Sequence, residues 1–231
     1  MTSDQVSVET PDGPMPAHLW VPESGAGPGL LLLQEIFGIS RYIAQRGQDL
    51  ADLGYVVMAP EIYWRLGVSR VEEGPEAMEK AFGLAQSVDW EVAVQDSVAT
   101  LEALRQRPEV SGGVGAIGFC FGGGLAFNVA ALSEPDVLVS YYGSAIGNLL
   151  QLAPQVTAPS LHHFGLADSY VDQAKQEQIH SAVAGPEVTF ETYEGADHAF
   201  DNPDFPLHDA EASRLAWQRT VEFLGARLPT A

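Results

Sequence analysis

Residues 114–132 read VGAIGFCFGGGLAFNVAAL and place a strand, a tight turn and a helix in immediate succession. The apolar run 114–118 is typical of a strand buried on both faces, and the Ala-rich run 121–132 is typical of a buried helix. Between them, Gly118-Phe119-Cys120-Phe121-Gly122 has the form G-x-C-x-G. Its glycines permit a tight turn because they bring no side chain against the neighbouring elements. Such a unit indicates an α/β sheet whose functional residues lie at the carboxyl edge.

The rest of the chain continues the alternation of strands and helices. Short buried strands that alternate with helices predict a mostly parallel sheet covered on both faces, in a single α/β domain over residues 1–231. The segment 61–88 is less regular, and we interpret it as a cap segment or as ordinary helix–strand packing. The other predicted strands are 17–21, an edge strand, 30–33, 55–59, 137–141, 160–164 and 188–193, and the other predicted helices are 40–53, 89–105 and 208–227.

The composition excludes several classes of protein. The 231 residues include 46% hydrophobic residues and carry a formal charge of −20, from 11 basic and 31 acidic residues. So acidic a chain opposes binding to nucleic acid and to anionic membranes, which favour a cationic surface. A single cysteine excludes an internal disulfide framework and every four-thiolate metal site. We expect a monomer with a small-molecule substrate and no nucleic-acid or membrane partner.

Neither the start of the sequence nor its apolar stretches indicate export or a membrane span. The opening MTSDQVSVET has no basic region followed by an apolar run, which a secretory signal would require. No stretch approaches the roughly 18 apolar residues that a spanning helix needs. The sequence therefore predicts a cytoplasmic location, where a lone thiol stays reduced.

The turn around Cys120 has the form of a nucleophile elbow with sulfur in place of the usual hydroxyl. The first amides of the following helix carry partial positive charge, which lowers a thiol pKa and stabilises a developing oxyanion. The alternative is a small buried core cysteine, which is common for free thiols. The flanking glycines, strand and helix favour the nucleophile.

A cysteine nucleophile needs a base and a group that orients the base. Asp168 lies in the loop after the predicted strand 160–164, and His198 lies in the loop after the last predicted strand. The order nucleophile, acid, histidine is the one used on α/β-hydrolase scaffolds. His198 would act as acid and base, and Asp168 would fix its tautomer. The competing acids for the second role are Asp172, Asp197 and Asp201.

Two other patterns carry less weight. Gly113–Gly118 matches the dinucleotide pattern G-x-G-x-x-G, but its first glycine precedes the strand, so we expect no nucleotide cofactor and no other cofactor. His162 and His163 are adjacent on a predicted strand and point to opposite faces, so they cannot chelate one metal. No metal site is expected, and the remaining histidines are interpreted as surface or packing residues: His18, His180 and His208.

Several motifs together resemble the dienelactone hydrolase family, the carboxymethylenebutenolidase-like α/β-hydrolases. The resemblance runs from about residue 5 to residue 225 and implies a single α/β-hydrolase domain that hydrolyses a lactone or enol ester through an acyl-cysteine. It also implies a triad of Cys120, Asp168 and His198, and oxyanion-hole donors at the backbone amides of Ile36 and Phe121. The motifs that carry it are Gln34-Glu35-Ile36-Phe37-Gly38, Gly118-Phe119-Cys120-Phe121-Gly122-Gly123, Tyr141-Tyr142-Gly143, Gly165 with Asp168, and Gly195-Ala196-Asp197-His198-Ala199-Phe200.

Glu35 matches a family carboxylate that lies beside the thiol and takes up its proton as substrate binds. The residues alone point the same way, because a carboxylate that closes an aliphatic strand should be partly desolvated and have a raised pKa. The alternative is a surface glutamate in a loop.

The sequence departs from the family where the substrate is recognised. The best-known members hold a substrate carboxylate with two arginines, and the matching positions here are Asn202 and Met78. Neither side chain replaces a bidentate guanidinium, so we expect a more neutral ester and weak activity on dienelactone itself. Arg65 and Arg70 are candidate substitutes. The candidate substrate-binding residues, whose aromatic members are equally good core residues, are Trp64, Phe82, Phe119, Phe121, Tyr142, Phe200 and Asn202.

Two further functions remain open from the residues. Cys120 would serve as a redox or sensor thiol in one, although the chain has no resolving cysteine. The other is a non-catalytic binding scaffold, because a fold does not fix a function. The complete set of Cys120, Asp168 and His198 favours a hydrolase.

Overall fold

The strands of the protein form one twisted sheet, with the order β1-β2-β4-β3-β5-β6-β7-β8. A computed structural model describes residues 3–72, 74 and 76–230. Strands β3 to β8 run parallel, and β1 and β2 are antiparallel additions at one side. The strands are β1 Asp4–Thr10, β2 Gly13–Trp20, β3 Gly27–Leu33, β4 Val56–Pro60, β5 Val110–Phe119, β6 Leu138–Tyr141, β7 Ser160–Gly165 and β8 Val188–Tyr193.

Helices cover both faces of the sheet, as the uninterrupted apolar strands require. The adjacent β3 residues Gly29 and Leu30 show the two sides, since Gly29 faces Leu104 of α3 and Leu30 approaches Leu228, just beyond α6. Helix α4 packs beside α3, and α1 lies beside α6. The helices are α1 Arg41–Asp52, α2 Ala77–Ser87, α3 Trp90–Arg105, α4 Phe121–Ser133, α5 Gln173–Val183 and α6 Ala210–Arg227.

The predicted α/β-hydrolase fold is confirmed, with three differences in the elements. The predicted edge strand 17–21 is the end of β2, which is paired on both sides, and the edge is β1. Helix α5 was not predicted. The segment 61–88 contains a short 3-10 turn, Trp64–Leu66, followed by α2, and its role as a cap stays a prediction.

Parallel strands bring their carboxyl ends to one edge of the sheet, and the loops there hold the residues of interest. Cys120 follows β5, Asp168 follows β7 and His198 follows β8. Within the described residues, no helix has a stretch long and apolar enough to cross a bilayer.

Candidate active site

Cys120 lies at the junction of β5 and α4 in a strained backbone conformation. Its φ of 53° and ψ of −112° are rarely adopted by a residue with a side chain. The turn closes so tightly that a Cβ on Gly118 would lie 2.0 Å from the carbonyl oxygen of Gly122. A Cβ on Gly122 would lie 2.3 Å from the carbonyl oxygen of Leu33. Only glycine fits at these two positions, which is the geometry that the sequence pattern predicts.

The structure brings Cys120, His198 and Asp168 into one hydrogen-bonded row. His198 Nε2 lies 3.0 Å from Cys120 Sγ, and His198 Nδ1 lies 2.8 Å from Asp168 Oδ2. All three side chains are buried. Burial opposes a charged imidazole, but the adjacent Cys120 thiolate and the Asp168 carboxylate outweigh it and raise the pKa of His198 well above its ordinary value. This arrangement favours the protonated imidazole of His198.

The loop after β7 fixes the orientation of Asp168. Its Oδ1 accepts the backbone N–H groups of Tyr170 and Val171, each at 2.8 Å. Its Oδ2 is thereby turned to the His198 ring. The carboxylate accepts three hydrogen bonds, so its charge is compensated although the side chain is shielded from water.

The three competing acids have other partners. Asp172 caps α5, and Asp197 accepts the backbone N–H of His198 rather than a ring nitrogen. Asp201 is bound by the guanidinium of Arg46. Asp168 is therefore the carboxylate that orients the imidazole.

Glu35 is buried behind this row, and both of its oxygens are occupied. Asn202 Nδ2 donates to Oε2 at 2.7 Å, and the Tyr142 hydroxyl donates to Oε1 at 3.2 Å. Burial raises the pKa of Glu35 to about 7, against these two donors and the nearby His198, which lower it. The Cys120 Sγ contacts His198 at 3.0 Å and the Ser144 hydroxyl at 3.9 Å. The resemblance places this carboxylate beside the thiol, whereas here it is held by the amide and the phenol.

Two of the expected pocket walls lie in the core instead. The Phe119 ring is fully buried with its centroid 4.7 Å from that of Tyr141. Phe200 is also fully buried, 5.0 Å from the ring of Tyr193. Successive side chains near a strand end point to opposite sides, one of which is the core. The rings of Phe119 and Phe200 both point to the core side.

Tyr142 and Asn202 were also expected to bind substrate, but their polar groups face inward. The Tyr142 hydroxyl and the Asn202 amide nitrogen donate to Glu35. The Asn202 amide oxygen accepts the backbone N–H of Asp204 at 2.9 Å. Both residues therefore hold Glu35, and the second N–H of Asn202 Nδ2 has no part in this contact.

Of the remaining aromatics, Phe82 is connected to the site through the ring of Tyr170. Phe121 is buried under the ring of Trp90, at 5.5 Å, and Trp64 is half-buried. Phe82 of α2 is 36% exposed, and its ring lies 6.2 Å from that of Tyr170. Tyr170, which is 45% exposed, lies 4.9 Å from the His198 ring. Tyr170 was missed, although an aromatic two residues after the predicted acid could have indicated it.

A cavity of about 1070 Å³ adjoins the site on the side of Asn202. Met78, which with Asn202 matches the arginine positions of the family resemblance, also lines this cavity. Two arginines lie on its wall, Arg41 and Arg70. Arg41 is paired with Asp204.

The two candidate substitute arginines are both paired with acids. Arg70 Nε lies 3.0 Å from Glu72 Oε1, at the exposed rim of the cavity. Arg65 binds Asp96 through two nitrogens and Asp12 at 2.9 Å. Arg65 thus belongs to an ion-pair cluster.

No metal-binding cluster of three His, Cys, Asp or Glu side chains is found in the part of the chain that the structure describes. His162 packs against Phe190 on one face of the sheet, and His163 binds the hydroxyl of Tyr193 on the other, as their adjacency predicts.

Comparison with known proteins gives the family. The model of the dienelactone hydrolase family matches residues 15–228. A carboxymethylenebutenolidase from a Pseudomonas species is 34% identical over 216 residues, which cover 92% of this chain and 90% of that protein. The carboxymethylenebutenolidase of Pseudomonas putida is 32% identical over 228 residues, 97% of each chain.

A solved structure gives the same fold. The crystal structure of a dienelactone hydrolase-like promiscuous phosphotriesterase from metagenomic libraries superposes with a TM-score of 0.79, covering 100% of both chains. At 22% identity, this likeness concerns the fold alone. Taken with the family match, the chain belongs to the dienelactone hydrolase family and is an ester or lactone hydrolase with the α/β-hydrolase fold.

Proposed function

We propose that the protein hydrolyses a carboxylic ester or lactone through an acyl-cysteine on Cys120. The observation that carries this proposal is the continuous row from Cys120 Sγ to His198 Nε2, 3.0 Å, and from His198 Nδ1 to Asp168 Oδ2, 2.8 Å. Each distance allows a proton to be shared or transferred. The row lies in the strand–turn–helix context that exposes a nucleophile to a bound carbonyl.

The proposed reaction has two steps. The Cys120 thiolate attacks the carbonyl carbon, and the proton held by His198 passes to the departing alkoxide. His198 then removes a proton from water, which attacks the acyl-cysteine, and the proton returns to the sulfur as the acid leaves. Asp168 stays ionised and stabilises the imidazolium throughout.

The oxyanion would be stabilised by the backbone amides of Ile36 and Phe121. Phe121 is the first residue of α4, where helix amides have no intrahelical acceptor. Within the described residues, neither of these two amides donates to a backbone carbonyl. The Tyr63 hydroxyl donates to the carbonyl of Ile36 at 2.9 Å, which fixes the direction of the loop after β3. Two preorganised donors of this kind favour the tetrahedral intermediate.

The charge of Glu35 would assist the pair formed by Cys120 and His198. Because the pKa of Glu35 is about 7, both of its forms are populated near neutral pH. The ionised form attracts the His198 imidazolium and so favours the protonated imidazole. In this proposal Glu35 acts through its charge while Asn202 and Tyr142 hold it in place.

The substrate would be neutral around its reacting group. Met78 and Asn202 stand where the best-known relatives carry arginines, and Arg65 is already paired with Asp96. The exposed rings of Phe82 and Tyr170 offer an apolar, planar surface beside the catalytic histidine. We therefore expect small apolar esters and lactones to be turned over faster than dienelactone, which carries a carboxylate.

Steady-state hydrolysis of short p-nitrophenyl esters and of neutral lactones tests the proposal. Cys120→Ala and His198→Ala should each reduce kcat/KM by at least about a thousandfold. His180→Ala is the matched control, because His180 is an exposed histidine on α5 whose ring stacks on Phe190. Rapid quenching of the wild type with a slow ester should give an acyl adduct on Cys120 by mass spectrometry.

The opposite result is well defined. If the wild type hydrolyses none of these substrates and Cys120→Ala behaves like it, the hydrolase proposal fails. A sulfenic acid on Cys120 after dilute peroxide, in the absence of ester turnover, would then support a redox thiol. If dienelactone is turned over faster than neutral lactones in a carboxylate-dependent manner, the substrate proposal fails while the mechanism stands.

A further inference from the structure

A row of buried polar groups leads from Glu35 to Asp201. The Tyr142 hydroxyl donates to Glu35 Oε1 at 3.2 Å and lies 3.4 Å from the hydroxyl of Tyr42. The Tyr42 hydroxyl donates to Asp201 Oδ2 at 2.5 Å. No member of this row is more than 3% exposed. Buried polar groups are costly unless each is hydrogen-bonded, so the row has a structural or functional reason.

The far end of the row is an anchored carboxylate. Arg46 donates to both oxygens of Asp201, each at 2.9 Å, and the Ser213 hydroxyl donates to Oδ1 at 2.7 Å. The Arg46 guanidinium stacks over Trp217, 4.4 Å from the ring centroid. With four donors directed at it, Asp201 acts only as an acceptor.

The hydrogens of the two phenols can be counted for each form of Glu35. A tyrosine hydroxyl has one hydrogen. When Glu35 is ionised, Tyr142 donates to Glu35 and Tyr42 donates to Asp201, and no hydrogen lies between the two hydroxyl oxygens. Their separation of 3.4 Å, longer than an ordinary O–H···O bond, agrees with that assignment.

A protonated Glu35 changes the direction of one bond in the row. Asn202 Nδ2 donates to Oε2, so the proton resides on Oε1 and is donated to the Tyr142 oxygen. The Tyr142 hydrogen then turns to the Tyr42 oxygen, which accepts it and still donates to Asp201. Every hydroxyl hydrogen has an acceptor in both forms, and only a phenol hydrogen rotates.

We propose that the two phenols, Tyr142 and Tyr42, connected to Asp201, hold Glu35 in a site that satisfies both its ionised and its protonated form. Tyr42 is then a positioning residue, which acts on Glu35 through Tyr142. The charge beside His198 can change without movement of heavy atoms. The use of that charge in catalysis rests on the proposed function, whereas the hydrogen-bond row does not.

The groups that face Glu35 come from several elements of the fold. His198 favours the ionised form and Asp201 opposes it, and burial is the largest effect, so the pKa of Glu35 lies at about 7. The facing groups are Tyr42 from α1, Tyr142 from the turn after β6, and His198, Asp201 and Asn202 from the loop after β8.

The experiment is an infrared titration of the protonated carboxyl band of Glu35 in the full-length protein. The band is assigned by its loss in Glu35→Gln. Tyr42→Phe should lower the midpoint by roughly half a pH unit or more, because protonated Glu35 then leaves the Tyr142 hydrogen without an acceptor. Tyr142→Phe should raise it, because the ionised form loses a charge-assisted hydrogen bond, which is stronger than the neutral bond that the protonated form loses.

The matched control is Tyr55→Phe. Tyr55 is a buried tyrosine at the amino end of β4, and its hydroxyl donates to the carbonyl of Leu228 at 3.0 Å. Tyr55→Phe removes the same phenol oxygen at the opposite edge of the sheet, so the midpoint of the Glu35 titration should stay at the wild-type value. A role in packing alone would lower the stability of all three variants and would not move the midpoint in opposite directions.

Two results would overturn the proposal. One is a wild-type Glu35 band that titrates in the ordinary range of about 4 to 5, a measurement that needs neither tyrosine variant. The other is an unchanged midpoint in Tyr42→Phe. If the wild type hydrolyses esters but the Glu35 midpoint does not move in Tyr42→Phe, only the proposal about the hydrogen-bonded row is refuted. If the midpoint moves but no ester is hydrolysed, only the hydrolase proposal is refuted.

Discussion

Replacement of Asp168 by asparagine tests how the histidine is oriented. Asp168 Oδ1 accepts two backbone N–H groups, from Tyr170 and Val171, at 2.8 Å each. In Asp168→Asn only the amide oxygen can occupy that position, because an NH₂ group would face two donors. The Nδ2 group must then face His198 Nδ1, where the carboxylate oxygen now lies at 2.8 Å.

This exchange imposes the wrong tautomer on the imidazole. The asparagine NH₂ donates to His198 Nδ1, so the ring carries its hydrogen on Nε2, which faces Cys120 Sγ at 3.0 Å. Such a ring cannot accept the thiol proton, and no carboxylate remains to stabilise the imidazolium. We expect kcat/KM to fall by about 10³–10⁴-fold, equivalent to about 4–5.5 kcal/mol of barrier.

The assay is hydrolysis of a p-nitrophenyl ester, together with the rate at which iodoacetamide alkylates Cys120. Asp172→Asn is the control, since Asp172 is an exposed cap of α5 and asparagine caps a helix equally well. It should retain the wild-type rates. The reasoning is refuted if folded Asp168→Asn keeps kcat/KM within about tenfold of the wild type, or if the control loses as much activity.

Three further predictions concern stability. Burial raises the pKa of Glu35 from 4.5 to about 7, so the stability linked to its protonated form is complete below pH 4.5 and is lost as the pH rises through 7. Glu35→Gln should therefore raise the free energy of unfolding by about 3 kcal/mol near pH 8 and leave it unchanged near pH 4; equal urea curves at the higher pH would contradict this. Burial lowers the pKa of His162 from 6.5 to about 4, so the wild type should lose stability as the pH falls through that window, and His162→Leu should flatten this loss in urea titrations. Gly122→Ala places a Cβ 2.3 Å from a backbone oxygen and should cost about 2 kcal/mol or more together with activity, whereas Gly147→Ala meets nothing within 4 Å and should stay within about 0.5 kcal/mol by thermal unfolding.

The elements that could be predicted are those with a strong apolar signal. Helix α1 was predicted at 40–53 and lies at Arg41–Asp52, with the Ser40 side chain as its cap. The buried strand β3 and the unit of β5 and α4 were predicted for the same reason, since every residue of β3 is buried. Periodicity reports burial, so fully buried elements are the easiest to recognise.

The missed elements bury little. Strand β1 buries only Val8 completely, and helix α5 buries only Gln176 and Ile179. Strand β1 has only two alternating valines, Val6 and Val8, and α5 has no apolar stripe, so neither gives a strong periodic signal. Strand β1 exists because β2 offers it a hairpin partner, and that is a tertiary condition.

The sequence supported a prediction of the residue types at the site, but it carried no signal for their polar partners. Cys120, Asp168 and His198 were chosen because each follows a strand, and parallel strands bring their carboxyl ends together. The competing acids could be separated only by distance. Phe119 and Phe200 were expected at the pocket. Whether an aromatic ring near a strand end points to the pocket or to the core depends on the packing around it.

The sequence by itself determined the sheet, the elbow and the family, because those depend on local glycine geometry and on apolar pattern. Only the tertiary structure decided the environment of Glu35. Tyr42 is 100 residues from Tyr142 and 159 from Asp201 along the chain, yet their polar atoms meet behind Glu35. Hydrogen bonds between such distant residues leave no periodic trace in a sequence, and burial strengthens them in the folded protein.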